Sequence, residues 1–140
     1  MRRQAGVAVY VHAAWSTWDR LPLLVGEVER RVHRAIAAKC VELGAEVVAL
    51  GGVEDHVHLL IKLPPNVALS RIIGEAKGAS SHLANHDADP HDHFFKWQGA
   101  FGADSISPRA LSEVSAYIAN QKTHHREQSL IPEWEPHIAT

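Results

Sequence analysis

The hydrophobic pattern of the chain predicts an α+β fold: a mainly antiparallel sheet of four to five strands with helices packed on one face. Three observations predict it. Short apolar runs of period two alternate with longer stretches of helical period. Two of the short runs are adjacent, as a hairpin requires. The 140 residues, 46% of them hydrophobic, suffice for one core without disulfides or a structural metal, so a single catalytic-size domain over 1–140 is expected.

Val7 to Thr17 sets Val7, Val9 and Val11 against Ala8, Tyr10 and His12, the alternation of a strand. Pro22 and Gly26 interrupt it. From Glu27 to Leu43, Val28, Val32, Ile36 and Leu43 recur at helical spacing, and Gly44 is a helix stop. Ala45 to Leu50 reads as a second strand, Gly51-Gly52 as a turn, and Asp55 to Leu63 as a third strand paired with it. Pro64-Pro65-Asn66 ends that strand. Leu69, Ile72, Ile73 and Ala76 open a second helix reaching about Ala84, and a polar loop follows over 85–93. Phe94 to Ile106 carries aromatics and glycines and reads as one or two strands. Ser107-Pro108 places an N-cap serine before a proline at the first helical position. Leu111, Val114 and Ile118 give this last helix its apolar face, and a tail with Pro132 and Pro136 is expected to wrap the surface. Strand, helix, strand, strand, helix, strand, helix is the order of a ferredoxin-like sandwich.

The net charge of −2 argues against a protein living on non-specific phosphate attraction. A nucleic-acid face here must gather its cations locally, and some of the eleven histidines add charge near a phosphate. The lone Cys40 forms no internal bridge, which suits a reducing, cytoplasmic location. No run approaches the about 18 apolar residues of a membrane span, and the basic start leads into a strand rather than a signal peptide.

Asp55-His56-Val57-His58-Leu59-Leu60-Ile61 is the most informative stretch. Strand residues two apart share a face, so His56 and His58 project together and Val57, Leu59 and Ile61 face a core. Two imidazoles on a rigid strand suit a metal ion that takes a third ligand from elsewhere. A pair of exposed histidines on a half-buried strand fits the spacing equally well. A histidine-triad hydrolase does not, because Leu60 stands where a third histidine is needed.

Tyr117 and Gln121 lie four apart on the last helix and are neighbours on one face, continued by His124 and His125. The plainer reading of Tyr117 is an edge residue with its hydroxyl in water. As a nucleophile it faces a phenol pKa near 10, which makes the phenolate cost about 4 kcal/mol at pH 7. A nearby metal ion lowers that cost and polarises a phosphate. Gln121 could complete such a metal site through its carbonyl oxygen.

These motifs together resemble the single-tyrosine HUH transposases of the insertion sequence 200-like group, whose histidine–apolar–histidine motif reads here His56-Val57-His58. The resemblance extends over nearly the whole chain: Val11 to Thr17 with Arg20 and Pro22, Lys77 to Ser81, Trp97 to Ser107, and Tyr117 to Gln121 with His124 and His125. It implies that Tyr117 attacks a phosphate in single-stranded DNA, leaving a 5′-phosphotyrosine link and a free 3′-hydroxyl. It implies that His56, His58 and Gln121 hold a divalent ion, magnesium or manganese. It implies DNA ends recognised as hairpins and a homodimer, with the tyrosine helix completing either its own chain's site or, as is common in the family, its partner's. Two imidazoles sit more comfortably on manganese, zinc or nickel than on oxygen-seeking magnesium.

Phe101 and Asp104 depart from the family, which usually has tyrosine at the first position and an aromatic at the second. Lys62, Arg71, Lys77, Lys96, Lys122 and Arg126 are the candidate DNA-binding cations, with ordinary solvated surface as their plain alternative. His91-Asp92-His93 imitates the histidine pair but has an acidic middle residue and follows Pro90, as a surface loop would. Two other readings of function share the scaffold: a host-retained relative that processes palindromes, and a non-catalytic single-stranded-DNA-binding protein.

Overall fold

The computed structural model describes residues 6–86 and 94–136. Strands β1 (Val9–Ser16), β2 (Glu46–Val53), β3 (His56–Leu63) and β4 (Gly102–Ile106) form one sheet in the order β2-β3-β1-β4, with every neighbouring pair antiparallel. With helices α1 (Gly26–Glu42) and α2 (Leu69–His86) this is the ferredoxin-like βαββαβ arrangement expected. Helices α3 (Leu111–Ala119) and α4 (Gln121–Glu127) follow it.

The helices do not share one face, as the sequence reading had them. Val11, Ala13 and Trp15 of β1 and Val57, Leu59 and Ile61 of β3 pack with Val32, Ile36, Ile72 and Ile73 from α1 and α2. On the opposite face, Val114 and Ile118 of α3 close over Leu60, with Val48 and Ala49 alongside. Each buried branched side chain of this kind contributes about 1.5–3 kcal/mol. The central strands β1 and β3 are therefore covered on both sides, and His12, His56 and His58 are buried.

The hairpin turn also lies elsewhere. Gly51 and Gly52 stay inside β2, and Glu54-Asp55 makes the turn. A Cβ at Gly51 would sit 2.5 Å from the Ile118 carbonyl oxygen, so glycine is what lets α3 approach β2 this closely. A bulge between Val47 and Ala49 shifts the register of β2 and brings both Val48 and Ala49 to the α3 side.

Helix α1 ends as the sequence predicts. Gly44 takes φ 92°, and Ala45 N–H reaches back to the Cys40 carbonyl at 2.9 Å. The 94–106 stretch yields one strand, β4, plus an isolated pairing of Trp97 with Thr17. Trp97 is buried and donates its indole N–H to Ser80 at 3.0 Å, while the Asn85 amide bonds both the N–H and the C=O of Phe95. Ser107 caps the final helical segment by accepting from Arg109 N. That segment is two helices rather than one, because Asn120 adopts φ −105°, ψ 23° between them. The motif His91-Asp92-His93 lies outside the described residues. No described helix is long and apolar enough to cross a membrane.

Candidate functional site

The site forms where β3 passes under α3, α4 and the C-terminal tail. Antiparallel pairing places Ser16 opposite His56 and Ala14 opposite His58, so small residues of β1 flank the histidine pair. The shared strand face brings His56 and His58 together with ring centroids 5.0 Å apart. They are fully buried rather than exposed, because α3 and the tail roof this face.

Each imidazole is oriented from behind. Asp55 holds His56 Nδ1 at 2.8 Å, and His12 Nε2 meets His58 Nδ1 at 2.9 Å. Asp55 accepts the His56 Nδ1–H, which directs Nε2 toward the centre, the arrangement by which metal-binding histidines are usually held. Asp55 is in turn held by Arg20 at 3.3 Å. Burial raises the Asp55 carboxyl, but His56 and Arg20 outweigh it and hold it below its ordinary range.

The tyrosine helix delivers Tyr117 and Gln121 to the same place despite the break at Asn120, and both side chains are buried. The Tyr117 ring stands edge-on to His58, centroids 6.0 Å apart, so within one chain the tyrosine lies beside its own histidines. Gln121 Oε1 is 3.3 Å from His56 Nε2.

Three further participants join them: His125, which the sequence placed near this face, and His12 and Glu135, which were not foreseen. The tail runs along the surface, as expected, but over the tyrosine helix. It turns back at Gln128 (φ 58°), Ile131 N–H bonds the Tyr117 oxygen at 3.0 Å, and Trp134 packs against Tyr117 and His12. This carries Glu135 into the centre. Its Oε1 lies 3.0 Å from His56 Nε2, 3.4 Å from His58 Nε2 and 3.2 Å from His125 Nε2. Its Oε2 accepts from the Tyr117 hydroxyl and from Gln121 Nε2, the latter at 3.2 Å. His125 also reaches Gln121 Oε1 at 3.1 Å. The proximity of His125 to Gln121 along α4 was a sequence signal. Nothing local marks His12 or Glu135.

This donor set suits a cation. The His56 Nε2 lone pair, Gln121 Oε1 and Glu135 Oε1 are acceptors converging at 3.0–3.3 Å. Such acceptors repel unless a proton or a metal ion lies among them. His58 Nε2 is buried with no hydrogen-bond partner. Ligands about 2.1 Å from an octahedral ion lie about 3.0 Å apart when adjacent, close to these spacings. His56, His125 and Glu135 place one ligand atom each within 4.8 Å of one another, a group able to hold a divalent ion.

The titration behaviour agrees. Burial works against a charged His56, yet the Asp55 and Glu135 carboxylates overcome it and raise its pKa. At His58 burial prevails and the pKa falls. Burial, with repulsion from His58, brings His12 down to about 4. Burial also opposes the Glu135 charge, but the adjacent His56 and His58 imidazoles and the Tyr117 hydroxyl hold the carboxyl far below its usual range. Tyr117 is pushed up to about 12 by burial and by its hydrogen bond to Glu135.

The six candidate DNA cations do not gather into one patch. Lys62 shares the histidine face of β3 but lies four residues beyond His58. Arg71 and Lys77 are on α2, across the sheet. Arg71 pairs with Glu75 at 2.7 Å, and Lys77 donates to the Gln98 carbonyl at 2.6 Å. Lys122 is bound to Glu29 and to the Gly52 carbonyl, and Arg126 lies 3.5 Å from the Thr123 hydroxyl. Lys96 sits 4.0 Å over the ring of Trp18.

The fold is the ferredoxin-like sheet described above, and the comparisons give its family. Residues 6–121 match the family described as Transposase IS200 like, and the chain belongs to that family. It is 33% identical over 115 residues to the ISDra2 transposase TnpA of Deinococcus radiodurans, spanning 79% of this chain and 81% of that one. A crystal structure of a transposase candidate from Deinococcus radiodurans R1 superposes with a TM-score of 0.66 at 25% identity, covering 86% of this chain and 97% of the other. A REP-associated tyrosine transposase bound to a REP hairpin superposes at 0.67 with 18% identity, over 89% and 73%, and shares the fold.

Proposed function

We propose that the chain is a metal-dependent HUH transposase that cleaves and rejoins single-stranded DNA through Tyr117. The observation that carries this reading is the convergence of Tyr117 with His56, His58 and Gln121 inside one chain. In the cleavage step Tyr117 gives up its hydroxyl proton, and its oxygen bonds to phosphorus as the bond from phosphorus to the 3′-oxygen breaks. The 3′-oxygen takes up a proton, and the phosphate remains joined to the 5′ side of the downstream nucleotide. The phosphodiester energy is kept in the phosphotyrosine, so rejoining is the reverse reaction and consumes no nucleotide.

His56 and His58 would hold a magnesium or manganese ion, with Gln121 Oε1 and the unforeseen Glu135 Oε1 beside them. The mixed nitrogen and oxygen set favours manganese. When bound, the ion supplies positive charge that stabilises phenolate and neutralises the phosphate. Asp55 and His12 hold the imidazoles in place. The Ile131 N–H and the Glu135 carboxylate fix the Tyr117 oxygen toward the histidines. Lys62, Arg71, Lys77, Lys96, Lys122 and Arg126 remain proposed DNA contacts. A cytoplasmic homodimer acting on hairpin-ended DNA completes the reading, and sedimentation as a monomer with DNA bound would remove the dimer from it.

The test is a labelled single strand carrying a hairpin from DNA flanking the gene, mixed with protein and manganese. A covalent adduct should appear on a denaturing gel, and Tyr117→Phe should abolish it. An adduct that survives in the Phe variant means another nucleophile.

A further inference from the structure

One strand over from the histidine pair lies a cavity of about 470 Å³ that plays no part in the chemistry above. This is within the roughly 300–1,000 Å³ usual for small-ligand sites. Its floor is Ala14 and Ser16 of β1, the partners of His58 and His56, and Gly102 of β4, the partner of Ala14. Small residues at these three positions leave the space open. Trp18 and Phe101 line it, and both are exposed, by 42% and 38%. Both therefore offer ring surface to whatever enters the cavity.

The wall carrying Trp18 is firmly held. Asp19 and Arg20 both adopt left-handed backbone (φ 55°). The Thr17 hydroxyl donates to the Leu21 carbonyl at 2.6 Å, and Arg20 bonds Ser16 and Asp55 at 3.1 and 3.3 Å. Strained residues fixed by such contacts mark segments built for a purpose. Lys96 lies over one face of the Trp18 ring at 4.0 Å, which steadies the indole and puts a cation beside the cavity. Gln98 and Asp19 add polar groups to the lining.

Open space, exposed aromatics, a neighbouring cation and a floor made by the strand partners of His56 and His58 fit one ligand chemistry. We infer that this cavity receives an unstacked base of single-stranded DNA, from the nucleotide next to the phosphate held at the histidines. Aromatic side chains bind bases by their π-faces while a cation follows the backbone. The inference rests on the DNA reading above and adds to it a subsite that fixes the strand's position relative to Tyr117.

The experiment uses the full chain with Tyr117→Phe, so that binding is measured without cleavage. The probes are a fluorescently labelled thymidine strand of about 12 nucleotides, within the span one such groove covers, and an equally long strand without bases. Anisotropy should show the thymidine strand bound about 5- to 100-fold more tightly, the size of one base stack. Trp18→Ala and Gly102→Val should each remove most of that preference and leave the base-free strand's affinity unchanged. Trp18→Phe should keep part of it. Gly102→Val fills the cavity from a position whose Cβ meets no heavy atom within 4 Å, so it tests occupancy without disturbing the fold. Equal binding of both strands by the parent protein, or a preference that persists in both variants, overturns the subsite and leaves the DNA reading standing. Failure to bind either strand overturns both.

Discussion

The Glu135 carboxylate accepts the hydrogen of the Tyr117 hydroxyl, which ties the C-terminal tail to the tyrosine helix directly above the histidine pair. The same carboxylate faces His56, His58 and His125 through its other oxygen. One side chain thus links the proposed nucleophile to the proposed metal ligands, and its removal has separable consequences.

Glu135→Gln replaces a charged acceptor by a neutral one. The Tyr117 phenol should then titrate below its present value of about 12, since one cause of the rise is gone. Ultraviolet titration of phenolate, with Tyr117→Phe used to subtract Tyr10, reads this directly. An unmoved titration would mean that burial alone sets the value.

Asp55 fixes the His56 ring from behind, so Asp55→Ala should weaken manganese binding about 10- to 100-fold. Electron paramagnetic resonance titration of free manganese is the measurement. His56→Ala should lose more. Equal affinity in the Asp55 variant and the parent would remove Asp55 from any orienting role.

Gly51 and Gly78 should respond oppositely to alanine. At Gly51 the new Cβ would lie 2.5 Å from the Ile118 carbonyl oxygen, so α3 must move, at a cost of about 1–3 kcal/mol. At Gly78, inside α2, a Cβ meets nothing within 4 Å, and alanine should stabilise by about 0.5–1 kcal/mol. Urea midpoints give both. Because Ile118 follows Tyr117, Gly51→Ala should also reduce adduct formation while Gly78→Ala leaves it intact.

Burial raises the Cys40 thiol to about 11. Its folded pKa lies above the unfolded one, so the stability it contributes is fully present below about pH 9 and is lost as pH rises toward 11. Over that window the free energy of unfolding should fall by up to about 1.4 kcal/mol per pH unit from this proton. Cys40→Ala should flatten the slope between pH 9 and 10, before Tyr117 adds its own, whatever the variant's absolute stability. An unchanged slope would assign the loss to other groups.

The legible parts of this molecule are those set by local periodicity. Alternation along β3 put His56 and His58 on one side and Val57, Leu59 and Ile61 on the other. Gly44 ended α1, Ser107-Pro108 began the last helical segment, and the four-residue spacing of Tyr117 and Gln121 kept them adjacent even across a break. The ferredoxin-like order followed from the succession of such patterns.

The tertiary structure alone decided what each face meets. Gly51-Gly52 looks like a turn in isolation and becomes strand because α3 packs on it, a contact between residues far apart in sequence. The same packing roofs the histidine face, so His56 and His58 are buried and need partners. Those partners are His12 from β1 and Glu135 from the tail, which no periodicity connects to the histidine pair. Sequence fixes which way a side chain points within its own element. Chain folding over tens of residues determines what stands opposite, and at His56 and His58 that opposite wall carries the chemistry.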